Sequence, residues 1–542
     1  MAVKTFAAID IGSYELSMKI FEVSKKNGMR QIDHIRHSID MGTESYTTGK
    51  LSFERVDELC MILHEFSDIM KTYQVTDYKA YGTSAIRESK NRAILTDQVR
   101  LRTGIEMDIL SNSEQRFLDY KSIALQGQQF DEIIEKGTAI VDIGGGSIQI
   151  SLFDKDTLVS TQNLKLGVLR LRESMNFLNA SLSQYQNLIG EIVESQLSVY
   201  KKLYLKDRVI ENLIIVDDYI SRLIRHYYRK EGKGDITTRE QIEEFMEKSR
   251  MKSTLELSRL LDMPEEDMPA LYISLLMVHR IMEDTGAKTI WAPGVTLCDG
   301  IAYEYAERNN LLPVSHDFEK DIIACAKSIS KRYQGSKKRS ETLEQIALRI
   351  FDSMKKVHGL SKRDRLLLQI ATILHDCGKY ISMVELGECS YRIIMATEII
   401  GLSHLEREIV ANVVKYNHIP FDYYEQMEKT TSMDKESYYG CQSSLPCFGW
   451  QTDLTGAISR SLRISGFFRR RNSSSLPWKQ MRTLPWSGDF SDTGQSSLPK
   501  CLISGRSSGR KGPWINCNYP ELCRSWQYGH RILAFLWIFD MI

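Results

Sequence analysis

Two aspartates in this chain are each followed at close spacing by glycine. One lies in Ala8-Ile9-Asp10-Ile11-Gly12-Ser13, the other in Val141-Asp142-Ile143-Gly144-Gly145-Gly146-Ser147. Each follows a short apolar run that reads as a buried strand and precedes a second strand-like run. A strand ending in Asp-x-Gly turns sharply. Its glycines let backbone N–H groups approach a phosphate, while the Asp can hold a metal or polarise a water. One such element also ends many ordinary strands. Two in one chain suggest a duplicated phosphate-binding device facing one cleft, and three consecutive glycines have little structural purpose besides close approach.

The surrounding pattern supplies elements to position these loops. Residues 5–40 read as a β-meander, with strands at 6–11, 16–23 and 31–39. Val56, Leu59, Leu63, Phe66 and Met70 recur at helical spacing and mark an amphipathic helix over 53–73. A strand at 78–83 leads into Thr83-Ser84-Ala85-Ile86-Arg87, then come a helix at 91–103 and a strand at 107–110. Ser111-Asn112-Ser113-Glu114 is a helix start, with a capping hydroxyl and an acid three residues later. After the second Asp loop, strands are expected at 148–153, 157–163, 211–216 and 288–291, a helix at 180–202, and mostly helix over 217–308. Alternating strands and helices predict an α/β fold. From 318 to 430 every periodic segment is helical, which predicts a separate all-α domain entered through the Lys-rich stretch at 331–339.

The 542 residues allow three or four domains, and 42% apolar with 26% charged residues is ordinary for a globular protein. A net charge of +1 gives no hint of nucleic acid or membrane partners, and no apolar run reaches transmembrane length. Met1-Ala2-Val3-Lys4 leads directly into a strand without a signal peptide, and Cys60, Cys298, Cys325, Cys377 and Cys389 are scattered like reduced thiols. Both features predict a cytoplasmic protein.

Taken together in order, these motifs resemble the exopolyphosphatase / guanosine pentaphosphate phosphohydrolase family (Ppx/GppA). The similarity rests on the first Asp-x-Gly-Ser loop, the Thr-Ser-Ala-x-Arg-x-x-x-Asn-Arg segment ending at Arg92, the Asp-Ile-Gly-Gly-Gly-Ser loop, and Leu166-Gly167-Val168-Leu169-Arg170-Leu171. It covers roughly residues 4–305. The resemblance implies two ribonuclease-H-like subdomains of the actin/sugar-kinase superfold, at 1–127 and 128–310, with the cleft between them. It implies Mg²⁺-dependent hydrolysis of terminal phosphates from inorganic polyphosphate, or of the 5′ γ-phosphate of guanosine pentaphosphate, and leaves room for a homodimer. Positioning and charge neutralisation carry such chemistry. By this resemblance Asp10, Gly12, Ser13, Arg87, Gly144, Gly145, Gly146 and Ser147 hold the phosphate oxygens, and Asp142 binds Mg²⁺ or orients water.

Four positions depart from the family pattern. Two adjacent acids followed by Ala-Arg are replaced by Glu114-Gln115-Arg116-Phe117, so the essential general base falls on Gln115. Gln cannot accept a proton at neutral pH, and Glu114 could substitute only if the helix start rotated by about 100°. Gly-Gly-Ser-Thr-Glu becomes Gly145-Gly146-Ser147-Ile148-Gln149, and Asp-x-Gly-Ser-Asn-Ser becomes Asp10-Ile11-Gly12-Ser13-Tyr14-Glu15. The glycine-rich turn of the second half is Val216-Asp217-Asp218-Tyr219. These changes sustain a second reading, a catalytically weak polyphosphate or alarmone-binding sensor. A kinase or ATPase of the same superfold is a third, disfavoured by the missing glycines near 216–219.

Leu374-His375-Asp376-Cys377-Gly378-Lys379 looks like the centre of an HD domain, expected over 316–438. By similarity the first metal-ligating His falls near Arg339 and a middle His near Cys389, leaving His375, Asp376 and His418. That remnant predicts a structural domain extending the polyphosphate groove. After residue 440 the composition changes: six of seven Trp, six of eleven Pro and five of ten Cys lie there, with five acidic residues against thirteen Lys and Arg. Back-translation of Phe448 through Arg463, read one nucleotide out of frame, returns a peptide resembling the continuation of the family's helical domain. Residues 439–542 are therefore expected to be a frameshifted, disordered tail.

Overall fold

A computed structural model describes residues 3–418, apart from 155–156, 178–181, 207, 229–235, 251, 313–315, 354 and 356–359. The expected tail at 439–542, and the end of the expected 316–438 domain, lie outside the described residues.

The first sheet contains β1 (Lys4–Ile11), β2 (Glu15–Ser24), β3 (Gly28–Ser38), β4 (Asp77–Gly82) and β5 (Met107–Ile109) in the order β3-β2-β1-β4-β5. Central β1 runs antiparallel to β2 and parallel to β4. Its apolar run is continuous because both faces are covered. Ala7, Ile9 and Ile11 pack with the helix Phe53–Thr72, whereas Phe6 and Ala8 face the opposite layer. Period-2 alternation puts Asp10 on the Phe6 and Ala8 side at the strand's end.

The second sheet repeats this plan with β6 (Thr138–Ile143), β7 (Ile148–Asp154), β8 (Thr157–Leu164), β9 (Asn212–Val216), β10 (Ile236–Thr238) and β11 (Thr289–Trp291). Its order is β10-β11-β9-β6-β7-β8. β6 is antiparallel to β7 and parallel to β9, as β1 is to β2 and β4. The two Asp-Gly loops thus occupy equivalent β1–β2 and β6–β7 turns, and the doubled ribonuclease-H-like architecture is present. β10, an edge strand of three residues, falls in a stretch whose pattern reads as helix, and the short helix Met41–Thr48 carries too few apolar positions to show a period.

The subdomain boundary expected at 310 is crossed. Helix Leu297–Arg308 follows β11 in sequence but packs on the first sheet, where Ile301, Ala302 and Ala306 meet Phe6, Ala8, Phe21 and Val23. Lys19 Nζ donates to Asp299 Oδ2 at 2.7 Å and fixes the helix start there.

Helices Phe318–Arg332, Lys337–Ser353, Lys362–Leu374, Leu386–Ala396 and His404–Tyr416 build the all-α part. The Lys-rich 331–339 stretch spans the end of the first helix, a short turn and the start of the second, rather than forming an entry loop. Leu366, Leu367, Ile370, Leu374, Ile409, Val410 and Val413 are buried. No described helix is long and apolar enough to cross a membrane.

Candidate active site

The two turns are built alike. Gly12 N–H donates to Glu15 O at 3.0 Å, and Gly144 N–H donates to Ser147 O at 3.0 Å. A Cβ on Gly12 would stand 2.6 Å from Glu15 O, so only glycine closes that turn. The turns also meet: a Cβ on Gly145 would stand 3.3 Å from the Cβ of Ser13. Together they line one cleft of about 250 Å³, which also presents Asp10, Gln115, Asp119, Asp142 and Asp217.

Gly146 and Ser147 lie behind this cleft. A Cβ on Gly146 would approach Tyr46 Oη to 2.5 Å, and Ser147 O is occupied in closing the turn. Tyr46 was not singled out by sequence, yet it organises the loop. Its hydroxyl, Ser13 Oγ and Ser84 Oγ form a triangle of hydrogen bonds at 2.7, 2.8 and 2.7 Å. Arg170 stacks over the Tyr46 ring at 4.5 Å and donates from Nε to Gly146 O at 3.0 Å.

Carboxylates dominate the cleft electrostatics. Removal from water pushes the Asp10 carboxyl up to about 7, with the charges of Glu15 and Asp142 adding to the shift. Burial also raises Asp142, against the opposing pull of Arg116. Asp119 is raised well above the usual range by burial and by Asp142 and Asp10. Burial lifts Asp217 to about 7, although Ile220 N–H at 2.6 Å and Ser274 Oγ at 3.0 Å donate to it. Asp10 Oδ1, Asp119 Oδ2 and Asp142 Oδ2 are buried without a hydrogen-bond partner.

Those orphaned oxygens test whether the residues suit Mg²⁺. Hard carboxylate oxygens are its preferred protein donors, and Mg²⁺ usually takes only one or two before completing its shell with water and phosphate. Among the described residues no group of three or more His, Cys, Asp or Glu is set to hold a metal. A site of one or two carboxylates completed by the substrate's own phosphate fits the cleft.

The helix Asn112–Ala124 carries the remaining candidates. Ser111 caps it, and Glu114 closes a capping box by accepting from Ser111 N at 3.0 Å and Ser111 Oγ at 2.7 Å. Glu114 therefore faces a different cavity, beside Lys121, Glu304 and Arg308, and cannot rotate into the cleft without losing the cap. In this position Glu114 does not line the cleft. Gln115 does line the cleft, and its Oε1 accepts from Arg87 Nη1 at 3.4 Å. Arg87 also donates to Leu110 O at 2.7 Å; burial lowers its pKa. It reaches the cleft through Gln115 rather than by standing on the wall.

Arg116 and Gln149 meet. Arg116 Nε donates to Gln149 Oε1 at 2.8 Å, Nη1 donates to Thr161 Oγ1, and Nη2 donates to Glu398 Oε2 at 2.6 Å. The glycine-free turn at 216–219 is held differently from the other two, with Asp217 capping the helix Asp218–Leu223. Arg36 bridges Asp218 to Glu15, which it meets at 2.6 Å. Asp119 escaped sequence reading; its signal was the i, i+4 spacing from Gln115.

His375 and Asp376 are buried in the helical part. His375 Nδ1 is 2.9 Å from Thr372 O, and Asp376 Oδ2 accepts from Ser336 N at 3.4 Å. Burial lowers the His375 pKa and the Arg339 charge adds to that, so a cation stands near where a ligating His would be needed. His418 Nε2 lies 2.9 Å from His375 O, a backbone contact.

The model for the Ppx/GppA phosphatase family matches residues 20–309, and the model for Ppx/GppA phosphatase domain III matches residues 323–442. A bifunctional 3-dehydroquinate synthase/phosphatase of Fusobacterium nucleatum is 25% identical over 219 residues, covering 39% of this chain but only 31% of that protein. The guanosine-5′-triphosphate,3′-diphosphate pyrophosphatase of Aeromonas hydrophila is 20% identical over 410 residues, or 75% of this chain and 79% of the relative. Exopolyphosphatase 1 of Mycobacterium tuberculosis is 23% identical over 164 residues, 30% of this chain and 46% of the relative. The crystal structure of an exopolyphosphatase from Cytophaga hutchinsonii superposes with a TM-score of 0.50 at 15% identity, covering 57% of this chain and 99% of that one.

Proposed function

The chain belongs to the Ppx/GppA phosphatase family, and we propose that it hydrolyses the terminal phosphoanhydride of inorganic polyphosphate or of guanosine pentaphosphate with Mg²⁺. The observation that carries this reading is the cleft where both glycine turns meet beside buried Asp142, whose Oδ2 has no hydrogen-bond partner. Relatives bearing the names exopolyphosphatase and guanosine-5′-triphosphate,3′-diphosphate pyrophosphatase support the substrate class.

In this reading, the Ser13 and Gly145 tips approach the terminal phosphate from the two turns that line the cleft. The Ser13–Ser84–Tyr46 hydroxyl triangle holds the first tip rigid. Asp142 holds the cation or orients the attacking water. Bound Mg²⁺ would neutralise the charge that develops on the phosphoryl oxygens. A water oxygen bonds to phosphorus, the bridging P–O bond breaks, and the water's protons pass to the phosphate products and solvent. Little covalent chemistry is asked of the protein. The five described cysteines are unpaired, in keeping with action in the cytoplasm.

The test is phosphate release by the full chain from polyphosphate and from guanosine pentaphosphate, with Mg²⁺ and with EDTA. Release from at least one substrate, abolished by EDTA, is the expected result. Binding of either anion without release would instead identify a sensor.

A further inference from the structure

We propose that Asp119, one helical turn beyond Gln115, holds the divalent cation together with Asp142. The proposal rests on the hydrolase reading for the identity of its ligand, but its geometry stands separately. The capping box fixes the phase of the helix Asn112–Ala124. Positions four apart share a face, so Asp119 follows Gln115 into the cleft.

The environment of Asp119 is that of a ligand rather than a structural acid. Asp119 is 3% exposed and Asp142 8%, and the two carboxyl groups stand against each other. Neither Asp119 Oδ2 nor Asp142 Oδ2 receives a donor. The nearby guanidinium nitrogens are directed elsewhere: Arg116 to Gln149, Thr161 and Glu398, and Arg87 to Leu110 O and Gln115. Two abutting buried carboxyls without donors must share a proton or hold a cation. Asp217 makes the contrast. It is just as buried, but Ile220 N–H and Ser274 Oγ satisfy it. A pair of carboxylates completed by water and a phosphate is the usual protein share of a Mg²⁺ shell.

Mn²⁺ titrated into the full chain with inorganic phosphate, with free Mn²⁺ read by electron paramagnetic resonance, tests the assignment. Asp119→Asn and Asp142→Asn should each weaken binding at least about tenfold, the scale of one lost ligand's share of affinity. Glu114→Gln, on the same helix but outside the cleft, should bind as the parent does. The rise in thermal midpoint on adding Mg²⁺ should likewise vanish in Asp119→Asn. Asn keeps the size and shape of the carboxyl and should leave that variant folded, and Asp119→Ser provides a second, smaller replacement. Parental Mn²⁺ affinity in both Asp119 variants would overturn the proposal. Asp119-dependent binding without phosphate release from either substrate would support the cation site and overturn the hydrolase reading instead.

Discussion

Gln115 lines the cleft and offers no proton-accepting carboxylate, while the adjacent Glu114 is spent on Ser111. Placing an acid at Gln115 should therefore help. Gln115→Glu is expected to raise the hydrolysis rate on the order of 10²-fold, the typical contribution of a general base, with Arg87 beside it keeping the new carboxylate charged. Glu114→Gln should leave turnover unchanged and lower stability by about 1 kcal/mol, the worth of a cap. Steady-state phosphate release and urea unfolding measure the pair, and a dead Glu114→Gln variant would show that Glu114 is the base after all. The motif residues Asp10, Gly12, Ser13, Asp142, Gly144 and Gly145 were legible because glycine after a strand-end Asp is a local signal. Tyr46 was not, since a hydroxyl reaching across 33 residues to Ser13 leaves no local spacing to read, and Asp119 offered only its four-residue spacing from Gln115.

At the scale of elements, the helix Asn112–Ala124 is anchored to both sheets' layers and to the helical part. Arg116, 3% exposed at its side chain, ties it to Gln149 on β7, Thr161 on β8 and Glu398 between two helices of the all-α part. Breaking one partner of such a buried pair leaves an uncompensated charge. Glu398→Ala should thus cost about 3 kcal/mol, read as a lower urea midpoint, and the double variant Arg116→Met/Glu398→Leu should recover most of it. A midpoint unchanged in the single variant would show that solvent already screens the pair. Strands β1, β2, β4 and β7 were legible from apolar runs bounded by glycine or polar turns. The destination of helix Leu297–Arg308 was not, because its amphipathic face suits either sheet and only the Lys19–Asp299 pair and the Phe6 layer decide.

Across the whole molecule, the repeated strand order places β1 and β6 as equivalent centres of two sheets, and their turns share a cleft. The doubling was readable because the same Asp-Gly motif occurs twice with the same flanking strands. Its mutual contact, Ser13 against Gly145, was not readable from either motif alone. The domain III match ends at residue 442, near the point where the composition changes. The central claim, that phosphoanhydride hydrolysis occurs between these two turns, places Asp142 at the reacting phosphate. The most direct measurement is Mg²⁺-dependent phosphate release by Asp142→Asn beside the parent chain, with the fold checked by circular dichroism. Loss of release in a folded variant is the predicted result, and release at the parental rate would contradict the account.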